Sequence, residues 1–198
     1  MPEFFEVVRT QRACRSYAPD PVGDAVLERV LTAATFAPSA ENRQPWIFVA
    51  VRDPGTRAAI GELTRRAWRG GARAWSERRL APGLLAEVDR GAEGGISAAP
   101  VLIVVCADAE AVVEAALPAS IFPAVQNLLL AANALGLGSA LTTLPTAFGR
   151  ELADLIGTPD HIRPLAVVPI GYPSHRLGPP RREPVTTRTF RNRYGQPW

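Results

Sequence analysis

The chain contains no lysine, so all 22 basic residues among its 198 are arginine. That absence removes chemistry built on a side-chain amine, including Schiff-base and pyridoxal phosphate catalysis, and it removes the lysine of a phosphate-binding P-loop. An arginine bias also follows from a GC-rich genome and points to no function by itself. Histidine is scarce too, with only His161 and His175. No HxxxH or HxxE spacing exists, so neither reads as a metal ligand. Cys14 and Cys106 are the only cysteines and stand far apart, which leaves no disulfide framework and no CxxC zinc site. Cys106 ends the apolar run from Val101 and reads as a buried, inert thiol. Without a GxSxG elbow, serine hydrolase chemistry has no support. No run approaches the ~18–20 apolar residues that a membrane span requires. Met1 to Glu6 carries neither a basic n-region nor a cleavable apolar run, so a cytoplasmic protein is expected.

What is present fits a globular chain. Hydrophobic residues make up 47% and charged residues 21%, which leaves room for a sizeable core and argues against disorder over most of the length. One domain over residues 1–198 is expected, with an excursion at 65–95 and an extended tail at 174–198. A net charge of +3 is too small for a nucleic-acid signature.

Phe4 to Gln11 reads as a short helix with Phe4, Val7 and Val8 on one face. Asp24 reads as the N-cap of a second helix, whose apolar positions Val26, Leu27, Val30, Leu31 and Ala34 recur at helical spacing. A polar loop over 37–46 follows, with Pro38 and Pro45 fixing its ends. Ile47 to Val51 reads as a buried strand, Asp53-Pro54-Gly55 as a turn and Thr56 to Ala67 as a helix. The excursion carries seven arginines with Trp68 and Trp75, and reads as mobile helix and loop outside the sheet. It is either a solvated surface or a lid turned toward a ligand. Val101 to Cys106 is the clearest strand and reads as buried on both faces. Ala119 to Leu135 is an almost uniformly apolar helix, suited to a core or a large subunit interface, and Gly136 and Gly138 end it. Asn127 and Asn133 interrupt it and read as interhelical hydrogen-bonding residues or as residues facing a site. Ser139 to Thr143 and Leu165 to Ile170 read as strands, with a helix at 148–156 between them. The tail cannot build a core and is either disordered or wrapped around something. The element order gives a mixed α+β class without regular βαβ alternation.

Gly136-Leu137-Gly138 follows a helix and precedes a strand, the reverse of a dinucleotide-binding turn, so a Rossmann site is discarded. Arg12 and Arg15 near one end and Arg181 and Arg182 near the other offer paired guanidiniums of the kind that recognise phosphate, although surface solubility explains such clusters equally well. The run Arg12-Ala13-Cys14-Arg15-Ser16-Tyr17 is followed by Ala37-Pro38-Ser39-Ala40-Glu41-Asn42-Arg43-Gln44-Pro45-Trp46. Leu135-Gly136-Leu137-Gly138, Ile170-Gly171-Tyr172-Pro173 and Arg182-Glu183-Pro184 come after it. In content and order these segments resemble the FMN-dependent nitroreductase family over nearly the whole chain.

That resemblance implies an α+β sandwich with a central, mostly antiparallel sheet flanked by helices, assembled as an intertwined homodimer with FMN at the subunit interface. It implies that Arg12 binds the FMN phosphate, with a backbone contact from Ala13, and that Arg15 lies at the N1–C2 edge of the flavin, where a cation favours the reduced state. Gln11 stands where many members carry another arginine. Pro38, Ser39, Ala40 and Asn42 would lie along the ring, with Gln44 and Trp46 supporting the loop. Leu141, Thr142 and Thr143 would line the other side, and Arg182, or Arg181, would be the C-terminal phosphate ligand. The implied activity is hydride transfer from NADH or NADPH through flavin N5 to an electron-poor small molecule such as a nitroaromatic or quinone, in ping-pong order. No acid or base side chain is implied. The alternatives are dehalogenation, flavin fragmentation or oxidase-type dehydrogenation on the same fold, or a non-enzymatic flavin- or nucleic-acid-binding protein.

Overall fold

In a computed structural model, which describes residues 2–198, the chain forms a four-stranded sheet between two helical layers. The elements in order are α1 (Phe4–Thr10), α2 (Asp24–Thr35), β1 (Trp46–Val51), α3 (Pro54–Ala67), α4 (Arg73–Glu77), α5 (Pro82–Arg90), α6 (Ile96–Ala98), β2 (Val101–Asp108), α7 (Leu117–Ala134), β3 (Gly138–Ser139), α8 (Gly149–Ile156) and β4 (Ile162–Gly171). The sheet order is β1-β2-β4-β3 and every strand pair is antiparallel, as the expected α+β class requires.

The alternation of side chains along β2 builds both layers at once. Val101, Ile103 and Val105 face α2 and α7, where they meet Val30, Ile121, Val125 and Leu128. Leu102, Val104 and Cys106 face α3 and α8, where they meet Ile60, Leu63 and Leu152. Each fully buried aliphatic side chain contributes about 1.5–3 kcal/mol of transfer free energy, so these two layers supply most of the drive to fold. A strand with apolar residues at every position can satisfy both faces only in the middle of such a sandwich, and that is where β2 lies.

Several expectations change. Val7 is buried, but Phe4 and Val8 face outward on α1. Gly23, not Asp24, is the N-cap of α2, and the Asp24 carboxylate instead accepts from Arg52 at 2.7 Å. β1 is an edge strand: its apolar run suggested full burial, yet Ile47 is 42% exposed because no strand lies beyond it. The strand expected over Ser139 to Thr143 shortens to β3, with Thr142 adding a separate bridge to Val167.

The excursion is helical, and four of its seven arginines, Arg65, Arg66, Arg69 and Arg73, pair with carboxylates. Arg66 pairs with Glu151 at 2.6 Å, Arg73 with Asp89 at 3.0 Å, and Arg69 with Glu93. Trp68 is buried at 2% exposure, and its indole Nε1 donates to Asp89 at 2.8 Å. Trp75 remains exposed, with the Arg79 guanidinium stacked 3.8 Å from its ring centre.

The stretch Glu114–Ala134 is long and apolar enough to cross a membrane by length and composition, which its interrupted runs did not suggest. Here it is a core element: Ile121, Ala124, Val125 and Leu128 are buried against α2 and the sheet. Asn127 donates to the Ala33 carbonyl of α2 at 3.2 Å, and Asn133 donates to Val7 O and Thr10 Oγ1 of α1, both at 3.0 Å. Both asparagines therefore join helices of one chain.

Candidate active site

Three sequence segments far apart in the chain meet at the β3 end of the sheet. The stretch 12–17 lies alongside β3, with Cys14 N donating to Ser139 O at 2.9 Å. It then crosses to the residues after β4, where Ala18 N donates to Tyr172 O at 2.8 Å and Ser174 N to Ser16 O at 3.1 Å. Glycine makes these approaches feasible. A Cβ on Gly138 would stand 2.6 Å from Cys14 Sγ, and one on Gly171 would stand 3.0 Å from the Tyr17 ring. The Gly91–Gly95 turn after α5 packs from the other side, where a Cβ on Gly95 would stand 2.2 Å from Arg15 O. The arginine segment is thus clamped between two glycine-bearing surfaces, and the glycines of the sequence motifs are the points of contact.

Tyr17 locks this clamp. Its hydroxyl donates to Cys14 O at 2.6 Å, and burial pushes the phenol well above its ordinary value, so it stays a neutral donor. Burial likewise raises the Cys14 thiol. Burial pulls Arg15 below the usual arginine value, while Glu87 pulls it back up.

Of the clefts that open on this segment, two of different chemistry share Arg15. The first, about 200 Å³, is polar and is lined by Arg12, Arg15, Arg90, His175, Arg176 and the single carboxylate Glu87. Arg12 reaches Gly178 O at 3.2 Å, which brings the start of the tail over the cleft as a wall. The second, about 300 Å³, is mainly apolar and runs between the excursion and the 140–144 segment. Trp68, Trp75, Val88, Ile96 and Leu141 line it, together with Thr142, Thr143 and Arg15. A phosphate suits the first cleft, because guanidiniums bind it through charge-assisted bonds. A flat ring system suits the second.

Of the residues that the sequence singled out, Arg12, Ala13 and Arg15 lie on the polar cleft, and Arg15, Leu141, Thr142 and Thr143 on the apolar one. Pro38, Ser39, Ala40 and Asn42 line neither. Their loop is tied to the start of α7, where Ala40 N donates to Ser120 Oγ at 3.0 Å, and Ser39 Oγ accepts from Gln44 N at 3.0 Å. The Arg12 segment adjoins the far end of α7 through Asn133 and Gly138. The 13 helical steps from Ser120 to Asn133 span roughly 20 Å at ~1.5 Å each. Within one chain the loop and the arginine segment therefore occupy opposite ends of α7. The loop is also held in an uncommon shape: Glu41, Asn42 and Gln44 all take positive φ, at 51°, 54° and 51°, which side chains adopt at a cost and which clusters at ligand-binding segments.

Arg181 and Arg182 lie on the exposed tail beyond Gly178 and outside both clefts, with Arg182 donating only to Arg181 O. In their place Arg176 and His175, directly after the Gly-Tyr-Pro segment, reach the polar cleft. Sequence reasoning also missed Glu87 and Arg90. Their spacing of one helical turn on α5 was a usable signal, but nothing in the sequence paired α5 with Arg12.

The Nitroreductase family matches residues 8–172. An Archaeoglobus fulgidus protein named as a candidate NADH dehydrogenase/NAD(P)H nitroreductase is 31% identical over 185 residues, covering 87% of each chain. Iodotyrosine deiodinase 1 of Rattus norvegicus is 30% identical over 179 residues, which cover 87% of this chain and 62% of that longer protein. A crystal structure of oxidized iodotyrosine deiodinase bound to FMN and 3-iodo-L-tyrosine superposes with a TM-score of 0.75 at 26% identity, covering 98% of this chain and 100% of that one. The match begins inside α1, runs through every strand of the sheet and ends at Tyr172 beside the clefts, and on that extent the chain belongs to the nitroreductase family.

Proposed function

We propose that this chain is an FMN-dependent oxidoreductase, one FMN-binding domain over residues 1–198, that works as a cytoplasmic homodimer. It takes hydride from NADH or NADPH and passes it to an electron-poor small molecule such as a nitroaromatic or quinone. The observation that carries the reading is the pair of clefts joined at Arg15: one polar and cationic, one mainly apolar and lined by Trp68, Trp75 and Leu141. That donor set fits FMN, whose phosphate and ring have those two characters. Bound FMN would supply the redox chemistry, accepting and releasing hydride at its ring.

The chain's own residues bind, orient and shield. Arg12 would hold the phosphate, with Arg176 and Arg90 as further cations on the same cleft. Arg15 would keep a positive charge against the ring edge, which favours the form that carries added negative charge. Trp68, Val88 and Leu141 would exclude water from the ring cleft. The position of the 38–44 loop supports the homodimer. If Pro38, Ser39, Ala40 and Asn42 contact FMN as the resemblance implies, they reach it from a second copy, since their own chain holds them at the far end of α7. Both cysteines are free and buried, as suits a reducing compartment.

The visible spectrum of the purified protein, followed by anaerobic addition of NADPH or NADH, tests the reading. A flavin band that bleaches on addition supports it. A colourless protein that takes up no FMN overturns it. The likeness to iodotyrosine deiodinases favours one second reading, reductive dehalogenation of a halogenated aromatic. Iodide release from 3-iodo-L-tyrosine by the reduced, flavin-loaded protein, with no turnover of quinones, would select it.

A further inference from the structure

Four arginines, Arg12, Arg15, Arg90 and Arg176, line the polar cleft together with a single carboxylate, Glu87. Glu87 Oε2 lies 3.5 Å from Arg12 and 4.0 Å from Arg15. These separations exceed the ~2.7–2.9 Å of a full charge-assisted bond, so one oxygen stands between two guanidiniums without committing to either. Arg73–Asp89 at 3.0 Å and Arg66–Glu151 at 2.6 Å are tighter, and Arg73–Glu77 is equally loose at 3.5 Å but joins residues of one helix. Asp89 and Glu151 tie one helix to another. Glu87 instead lies beside Arg12 and Arg15 on the cationic cleft.

We propose that Glu87 is a positioning residue acting through Arg12 and Arg15, a built-in counter-ion that weakens phosphate binding and makes the neighbouring flavin harder to reduce. The inference rests on the FMN reading above. A phosphate arriving at Arg12 meets the negative charge of Glu87, and like charges in a partly enclosed cleft disfavour each other. The charge arithmetic agrees. Four guanidiniums less one carboxylate leave three positive charges. A phosphate near −2 and one further negative charge on the reduced ring match them. Without Glu87 the cleft carries a surplus positive charge, which favours the anion and the reduced ring alike. A merely structural Glu87 predicts the opposite: its loss would splay the arginines and weaken binding.

Wild type, Glu87→Gln and Glu87→Asp are compared in three measurements: the FMN dissociation constant from flavin fluorescence quenching, inorganic pyrophosphate binding to the flavin-free protein by calorimetry, and the midpoint potential of bound FMN. Glu87→Gln is expected to bind both anions roughly two- to fivefold tighter, the range of one partly exposed charge pair, and to raise the potential. Glu87→Asp is expected to restore wild-type values. Unchanged or weaker anion binding in Glu87→Gln, or a potential that stays or falls, overturns the proposal. If wild type takes no FMN, the flavin reading fails, and the pyrophosphate comparison still decides whether Glu87 opposes an anion in this cleft.

Discussion

At the scale of single residues, the site depends on side chains that are absent as much as on those present. Gly138 and Cys14 touch so closely that a methyl group on Gly138 would overlap both Sγ and Cβ of the cysteine, at 2.6 and 2.8 Å. Gly138→Ala is therefore expected to cost about 1–3 kcal/mol, the usual range for overpacking, and to loosen FMN by displacing the arginine segment. Denaturant midpoints and a flavin titration check both effects. Cys106 gives a pH-dependent outcome. Burial pushes its thiol from 9.0 up to about 12. The unfolded chain loses this proton first, so the contribution to stability is whole below pH 9 and declines as pH rises toward about 12. Native protein at pH 8 is expected to leave both buried thiols unlabelled by a thiol reagent, and denatured protein to label both. Arg12, Arg15, Gly138 and Gly171 were legible in sequence because their motifs are local, whereas Arg90, Arg176 and Gly95 belong to no such motif. Glu87 was not legible, because its meaning comes from residues 72 and 75 positions away.

At the scale of elements, β2 could be read directly, since an unbroken apolar strand has only the middle of a sandwich to occupy. β1 has an equally apolar stretch and lies at the edge, a difference that depends on neighbours and not on its own residues. The excursion was opaque for a related reason. Its Arg66, Arg69 and Arg73 look solvated in sequence, while each pairs with a carboxylate 16 to 85 positions away, at Glu151, Glu93 and Asp89. Its anchor is Trp68, buried yet donating to Asp89, which also receives Arg73. Trp68→Phe keeps an aromatic ring in the core and removes the N–H. Hydrogen exchange is expected to speed up across α4 and α5 while β2 stays protected. Equal acceleration in β2 would show that the excursion is not a separately opening unit.

For the whole molecule, α7 sets the distance problem. It carries the 38–44 loop at its start and borders the Arg12 segment at its end, so the proposed FMN contacts of one chain fall into two groups roughly 20 Å apart. The proposed two-fold assembly would bring each group to the other's counterpart. Hybrids formed from Arg15→Ala subunits and subunits with a Ser39→Trp loop are expected to regain one intact site per dimer. Mixed samples should then recover up to about half of the wild-type FMN content per hybrid, while each parent alone holds little. Additive behaviour without recovery would place both groups in one subunit's site.

Under the proposed two-fold assembly, the separation along α7 would also make output depend on encounter. If neither chain owns a whole cofactor pocket, dilution below the association threshold should switch off turnover before any chain unfolds. Specific activity would then report how many protomers have found a mate.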